Sequence, residues 1–540
     1  MIKAIAIRTR KILPDIDWVL LIFLLLIMNV KLVVKVAGLI FIYLARSNFA
    51  FGFKKNGSRL PLFYPMILLL GIVNSLPSLF SASHYWLVML IGIGFWLVSL
   101  LAMHQLKLAV DNTADERIHK TIECFLVLNI LFSVLNLLVI FREIGFVNPY
   151  RYQGLYQKYF IGTGDFIRGV TFDTSITNAI INAAGVFYAI CRRRMLLALC
   201  CMIVLLMTGS NFTNLATLAC LAFLFCFKSD RDQKSIIVIF PVLLAIFLTN
   251  ISPQNTKYTV NTLEKALSAT KAPAAKQVTE LPVEQRPDST LTAAERRYKF
   301  AKLYLDSLGR AKRAAERTPA NGEGAVQTTR PDIPKPNIHA PEFQHKHDTS
   351  QSRLRAIQLM QQLRVDTLPD IRQLDLRKAN GKLQSFRNTF RYLADHPSRI
   401  VAGNGMGNFS SKLAFKAAGL GIAGGYPANY VYINNDFERS QLSLYLEYFS
   451  RDSGLHSAVN TPNSVYIQLL GEYGAGGLLI FVCCYALYFL RRYRYLTYGL
   501  PVLLLLGAAF FIDYWFEQLS IVIFFELLLL LNIRESVKRS

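Results

Sequence analysis

A chain of 540 residues is long enough for several soluble domains, yet 53% of it is hydrophobic and only 17% is charged, with a mean hydropathy of +0.33. Its apolar residues come in blocks of membrane-spanning length rather than at amphipathic spacing, which excludes a string of soluble domains. The formal net charge of +24 does not point to nucleic acid, because much of it lies in short loops between apolar blocks, at 54–59, 192–194, 228–234 and 491–494, the pattern that retains loops in the cytoplasm.

Span length and the lysine and arginine bias together predict an all-α polytopic membrane protein with about 12 transmembrane helices. The N-terminus, MIKAIAIRTRKILPDIDW, carries basic residues ahead of an apolar run with no cleavage site after it, so that run reads as a retained helix. The first nine spans are expected near 17–30, 32–46, 60–80, 86–103, 122–141, 176–191, 196–209, 213–227 and 235–251. Basic loops at 46–59, 104–121, 192–194 and 228–234 fall on one side, and the outer loop 142–175 on the other. The ninth span delivers a large polar segment, 252–462, to the outer face. Three further spans near 463–490, 499–514 and 518–533 return the chain to a basic C-terminal tail inside. The chain thus divides into 1–251, 252–462 and 463–540.

Within the outer segment, 291–317, 352–368 and 382–394 have helical periodicity, whereas 318–348 is rich in Pro, Gly and Thr and reads as a disordered linker. All eight cysteines lie in or beside apolar blocks, so no disulfide is expected to hold this segment. Histidines 339, 345 and 347 beside the linker make a poor metal set, and no nucleotide-binding fingerprint occurs. No cofactor and no metal are expected.

Ionisable groups in apolar helices are functional candidates. Glu526, the deepest, reads as a hydrogen bond to a neighbouring helix. Glu472 lies two to three turns inside the tenth span among Gly471, Gly474, Gly476 and Gly477, where glycines favour close helix packing and a carboxylate can orient a basic group at the outer mouth. Arg168 stands on the outer side, against the topology bias, and a phosphate ligand would give a guanidinium fork a reason to be there. His456, close to the mouth of the tenth span, is a candidate general base for a hydroxyl.

Four stretches resemble the O-antigen ligase and O-antigen polymerase family: RGVTFDT (168–174), TGSN (208–211), FRNTFRYLADHPSRIVAGNGMGNF (386–409) and NSVYIQLLGEYGAGGLL (463–479). A large outer loop between the ninth and tenth of twelve spans is also similar to the ligases. The likeness covers most of 150–490 but not the insert 253–380. Three positions differ from the family pattern. Pro462 stands where a histidine usually precedes the asparagine at 463, Asn211 where an arginine follows Ser210, and Lys382 where an arginine opens the outer-loop helix.

The resemblance implies a GT-C-like membrane glycosyltransferase, metal-independent, in the bacterial inner membrane, with both termini cytoplasmic and the large loop periplasmic. The donor would be a glycan on undecaprenyl diphosphate. The acceptor would be lipid A–core for a ligase, or a second lipid-linked glycan for a polymerase; a flippase or transporter of lipid-linked sugars is the remaining reading. On this view Arg168 binds the diphosphate with Lys382, Arg387 or Arg391, His456 is the base, and Glu472, Asn463 and Asn211 shape the site. Its other partners would be membrane lipids, not nucleic acid.

Overall fold

The computed structural model describes residues 15–52, 60–145, 148–151, 164–252, 381–418, 430–442, 444, 461–491 and 493–539. His456, the helices expected at 291–317 and 352–368, and the linker at 318–348 lie outside them. Helix is the only regular structure among the described residues. Apolar helices stand where the hydropathy blocks place them: α1 (Trp18–Ile27), α2 (Leu32–Arg46), α3 (Phe63–Ser81), α4 (Tyr85–Asn112), α5 (Asp115–Ile144), α6 (Ser175–Cys191), α7 (Met195–Met207), α8 (Asn211–Phe227) and α9 (Arg231–Ile251). After the insert come α10 (Gly381–Asp395), α11 (Arg399–Ala402), α12 (Lys412–Ala417) and α13 (Asn435–Phe437). The chain finishes with α14 (Val465–Leu490), α15 (Gly499–Ala509), α16 (Trp515–Gln518) and α17 (Ser520–Arg539).

Five of these, α3, α4, α5, α9 and α14, are long and apolar enough to cross a membrane. They expose much of their apolar surface, including Leu69, Leu90, Leu135, Val242 and Leu479, as do shorter helices at Val33, Leu196 and Leu215. In water such a surface would be untenable, whereas lipid covers it. The chain is a helical membrane protein.

Two helices form the centre. Residues 520–533 of α17 and 177–190 of α6 are buried on every side, as expected of helices enclosed by others rather than facing lipid. Enclosure lets them carry polar groups that a lipid-facing helix would not. Glu526 accepts from the Tyr64 hydroxyl at 2.5 Å, an interhelical bond from α17 to α3, and Tyr485 of α14 faces the same carboxyl.

The helices alternate between two ends. At one end, basic loops interlock through ion pairs: Arg46 with Asp17 at 2.5 Å, Lys120 with Asp15 at 2.7 Å, Arg194 with Glu123 at 2.8 Å and Arg193 with Asp230 at 2.7 Å. Here α4 runs to Asn112 and α5 starts at Asp115, beyond the hydropathy boundaries at 103 and 122. Their polar turns are packed in the bundle: His104 meets the Tyr43 hydroxyl, and His119 bridges Tyr188 and Glu535 at 2.9 and 2.7 Å. At the opposite end, the 28–31 turn pairs with the 164–174 loop, Val30 N–H donating to the Thr171 carbonyl at 3.0 Å. The polar helices α10 to α13 cover that end, α10 and α11 lying against α14.

Candidate functional site at the mouth of α14

Ser464 caps α14, its hydroxyl accepting from Tyr466 N–H at 3.2 Å and donating to the Phe510 carbonyl at 3.1 Å. Two turns on, the loop 403–409 lies across the helix. Asn404 N–H donates to the Gly471 carbonyl at 3.0 Å and Gly405 N–H to the Glu472 carbonyl at 2.9 Å. Those bonds displace the helical ladder, and Gly474 turns to φ +66°. A side chain could not follow: a Cβ on Gly474 would sit 2.6 Å from the Gly403 nitrogen and from the Val401 carbonyl. The glycines around Glu472 therefore serve a backbone-on-backbone contact as well as helix packing.

Glu472 is buried beneath this loop. Its carboxyl faces the Ser411 hydroxyl, the N–H groups of Gly407 and Phe409, and a second buried carboxyl, Glu517. Glu517, in α16, accepts from the Gln468 amide at 2.7 Å and from Leu413 N–H at 3.1 Å. Burial raises its pKa to about 7, while Lys412 pulls it down. Sequence reasoning missed both Glu517 and Lys412, because neither carries a local pattern.

Lys382 opens α10 and turns inward, 1% exposed. Its ammonium donates to the backbone carbonyls of Asn463 and Ile512, the latter at 3.0 Å, and lies 5.4 Å from the centroid of the Phe511 ring. Burial lowers its pKa to about 7, with Asp513 opposing the fall. Arg387 and Arg391 are on the other, exposed face of the same helix, so the structure does not bring them beside Lys382.

Arg168 lies on the far side of the mouth, in a turn pinned by asparagines of α5 and α6. The N–H groups of Arg168 and Gly169 both donate to Asn136 Oδ1 at 3.0 Å, and Val170 N–H donates to Asn129 Oδ1 at 3.1 Å. The Asn178 amide reaches the Ile167 carbonyl at 3.1 Å. At Gly169, with φ +58°, a Cβ would be 2.3 Å from Asn129 Oδ1, so only glycine fits there. Asp173, five residues on, joins this turn to the rest: it acts electrostatically on buried Lys35 and on Asp513, and Lys412 acts on both as well. Asp173 and Lys412 thus each act on Lys35 and Asp513, and Asp513 in turn acts on Lys382, which links the two sides of the mouth.

Asn211 starts α8. One turn further, both amide atoms of Asn214 are buried and hydrogen-bond to no described residue; Asn463 Oδ1 and Glu472 Oε1 are in the same condition. Buried amides left open in this way are suited to ligand hydroxyls or phosphate oxygens. Beside the 148–151 turn, an apolar cavity of about 310 Å³ is lined by Leu137, Phe141, Tyr150, Leu206, Met207 and Phe247. Among the described residues no cluster of three or more His, Cys, Asp or Glu side chains could hold a metal.

No protein-family model matches the chain, and no curated protein or solved structure is similar to it.

Proposed function

We propose that the protein is a membrane glycosyltransferase that moves a glycan from undecaprenyl diphosphate to an acceptor at the outer face of the bacterial inner membrane, in the manner of an O-antigen ligase. All twelve apolar helices would then cross the bilayer, with the ion-paired basic end in the cytoplasm and the insert 253–380 in the periplasm. The observation that carries the reading is the mouth of α14, where buried cations, buried carboxylates and open asparagine amides share one end of a membrane bundle with the fixed Arg168 turn.

The chemistry asks little more. An acceptor hydroxyl attacks the anomeric carbon, the carbon–oxygen bond to the lipid diphosphate breaks, and the diphosphate leaves with the electron pair. A base takes the hydroxyl proton, and His456 is the candidate. Diphosphate is a good leaving group, so catalysis rests on holding its charge and orienting the acceptor. Arg168 would bind it in bidentate fashion, with Lys412 as a second cation and Lys382 holding the wall in place. The apolar cavity beside the 148–151 turn would take part of the prenyl tail.

Replacing Arg168 or His456 by Ala should stop glycan transfer while the protein still inserts and accumulates. Normal transfer in the Arg168→Ala protein would remove the diphosphate assignment, and normal transfer in His456→Ala the assignment of the base.

A further inference from the structure

We infer that the corner of the basic end formed by α8, α9 and the C-terminal end of α14 binds the headgroup of an anionic phospholipid. Among the described residues elsewhere at that end, Arg46, Lys107, Lys120, Arg192, Arg193, Arg194, Arg534 and Lys538 each pair with a carboxylate, and Arg117 donates to the Ile16 carbonyl. At this corner Arg231, Lys234, Arg491 and Arg494 form no ion pair with a described residue. Of the two carboxylates that open α9, Asp230 is held by Arg193 and by its own capping box with Gln233, while Asp232 lies in the first turn between Arg231 and Lys234 and leaves the corner with an excess of cations. Topology alone requires positive charge here, but it does not require one corner to go unpaired while its neighbours are matched.

The corner is also built, not loose. The Lys228 ammonium donates to the carbonyls of Tyr493, Arg494 and Leu496 at 3.4, 2.9 and 3.2 Å, which clamps the 493–496 turn to the end of α8. Aromatic faces orient the cations: the Arg491 guanidinium lies 4.6 Å from the Tyr488 ring centroid, and the Lys234 ammonium 5.1 Å from that of Phe225. Just to the apolar side, Phe227 is 73% exposed and Leu487 53% exposed, a surface for acyl chains. Basic groups fixed beside aromatic rings and exposed apolar side chains, at the ends of membrane helices, fit a lipid phosphate at the interface.

The test uses the purified full-length protein in neutral detergent, with phosphatidylglycerol or phosphatidylcholine added and retained lipid measured by native mass spectrometry. Phosphatidylglycerol should bind at least tenfold more tightly than phosphatidylcholine, and the preference should shrink as salt rises. It should be lost in Lys234→Gln/Arg491→Gln/Arg494→Gln, reduced in each single variant, and kept in Lys107→Gln. Equal binding of the two lipids by the wild-type protein would overturn the inference, with no variant needed. So would a preference that survives the triple substitution. Inorganic phosphate abolishing the preference at millimolar concentration would also overturn it, by showing a site for free anions.

Discussion

Lys382 and Asn463, eighty-one positions apart, are in direct contact: the buried ammonium of the first donates to the backbone carbonyl of the second. The bond joins the first residues of α10 to the entry of α14, and its companion to Ile512 adds the turn after α15. Three elements of the mouth are thus fixed by one side chain, and the two N–H groups this needs are present in its charged and its neutral form alike.

This arrangement gives a pH dependence with a definite sign. Lys382 titrates near 10.5 when unfolded and near 7 when buried, so between those values the unfolded chain holds more protons and stability rises with pH. The slope from this one residue reaches at most about 1.4 kcal/mol per pH unit. The melting temperature in detergent, followed from pH 7.5 to 9.5, should rise more for wild type than for Lys382→Met.

Glu517 works in the opposite sense at lower pH. Its pKa is raised from 4.5 to about 7, so across that interval the folded state holds more protons and stability falls as pH rises. Glu517→Gln keeps the shape and removes the titration. Melting curves of the variant between pH 5 and 7 should be flatter than those of the wild-type protein.

The contact between the 403–409 loop and α14 depends on backbone atoms. Gly403→Ala would place a Cβ 2.5 Å from the Gly474 nitrogen, and Gly474→Ala one 2.6 Å from the Gly403 nitrogen, both at positive φ. Each should cost on the order of 2 kcal/mol or more. Gly94→Ala, whose Cβ meets nothing within 4 Å, should be neutral or slightly stabilising, and denaturant titration separates the cases.

Asn136→Ala would strip the acceptor from two N–H groups in the Arg168 turn. The expected loss is about 1–3 kcal/mol, with glycan transfer reduced more than protein level because Arg168 loses its fixed position. Asn136→Asp, which keeps the acceptor, should restore part of both. Transfer rates and membrane abundance, measured side by side, check this.

The helices were legible because each is a block of apolar residues, and the family-like stretches 168–174 and 386–409 both border the mouth. Helix ends at the basic face were not, since His104, His119 and Glu535 look like loop residues until their buried partners are seen. Arg387 was separable in principle: five residues after Lys382 is about 140° around a helix, on the other face. Lys412, Asn214 and Glu517 have no such signal, because tertiary contact alone gives them a role. Asn129 and Asn136 stand seven apart on one face of α5, but only the Arg168 turn shows what that face is for.

The central claim is most directly tested by deleting the gene in its native host and separating the surface glycans by gel electrophoresis. The account predicts that all polymer attached to lipid A–core disappears and that the wild-type gene restores it, while an Arg168→Ala copy expressed at the same level does not. Single repeat units left attached would mean a polymerase instead. A glycan pattern identical to that of the parent strain would contradict the account.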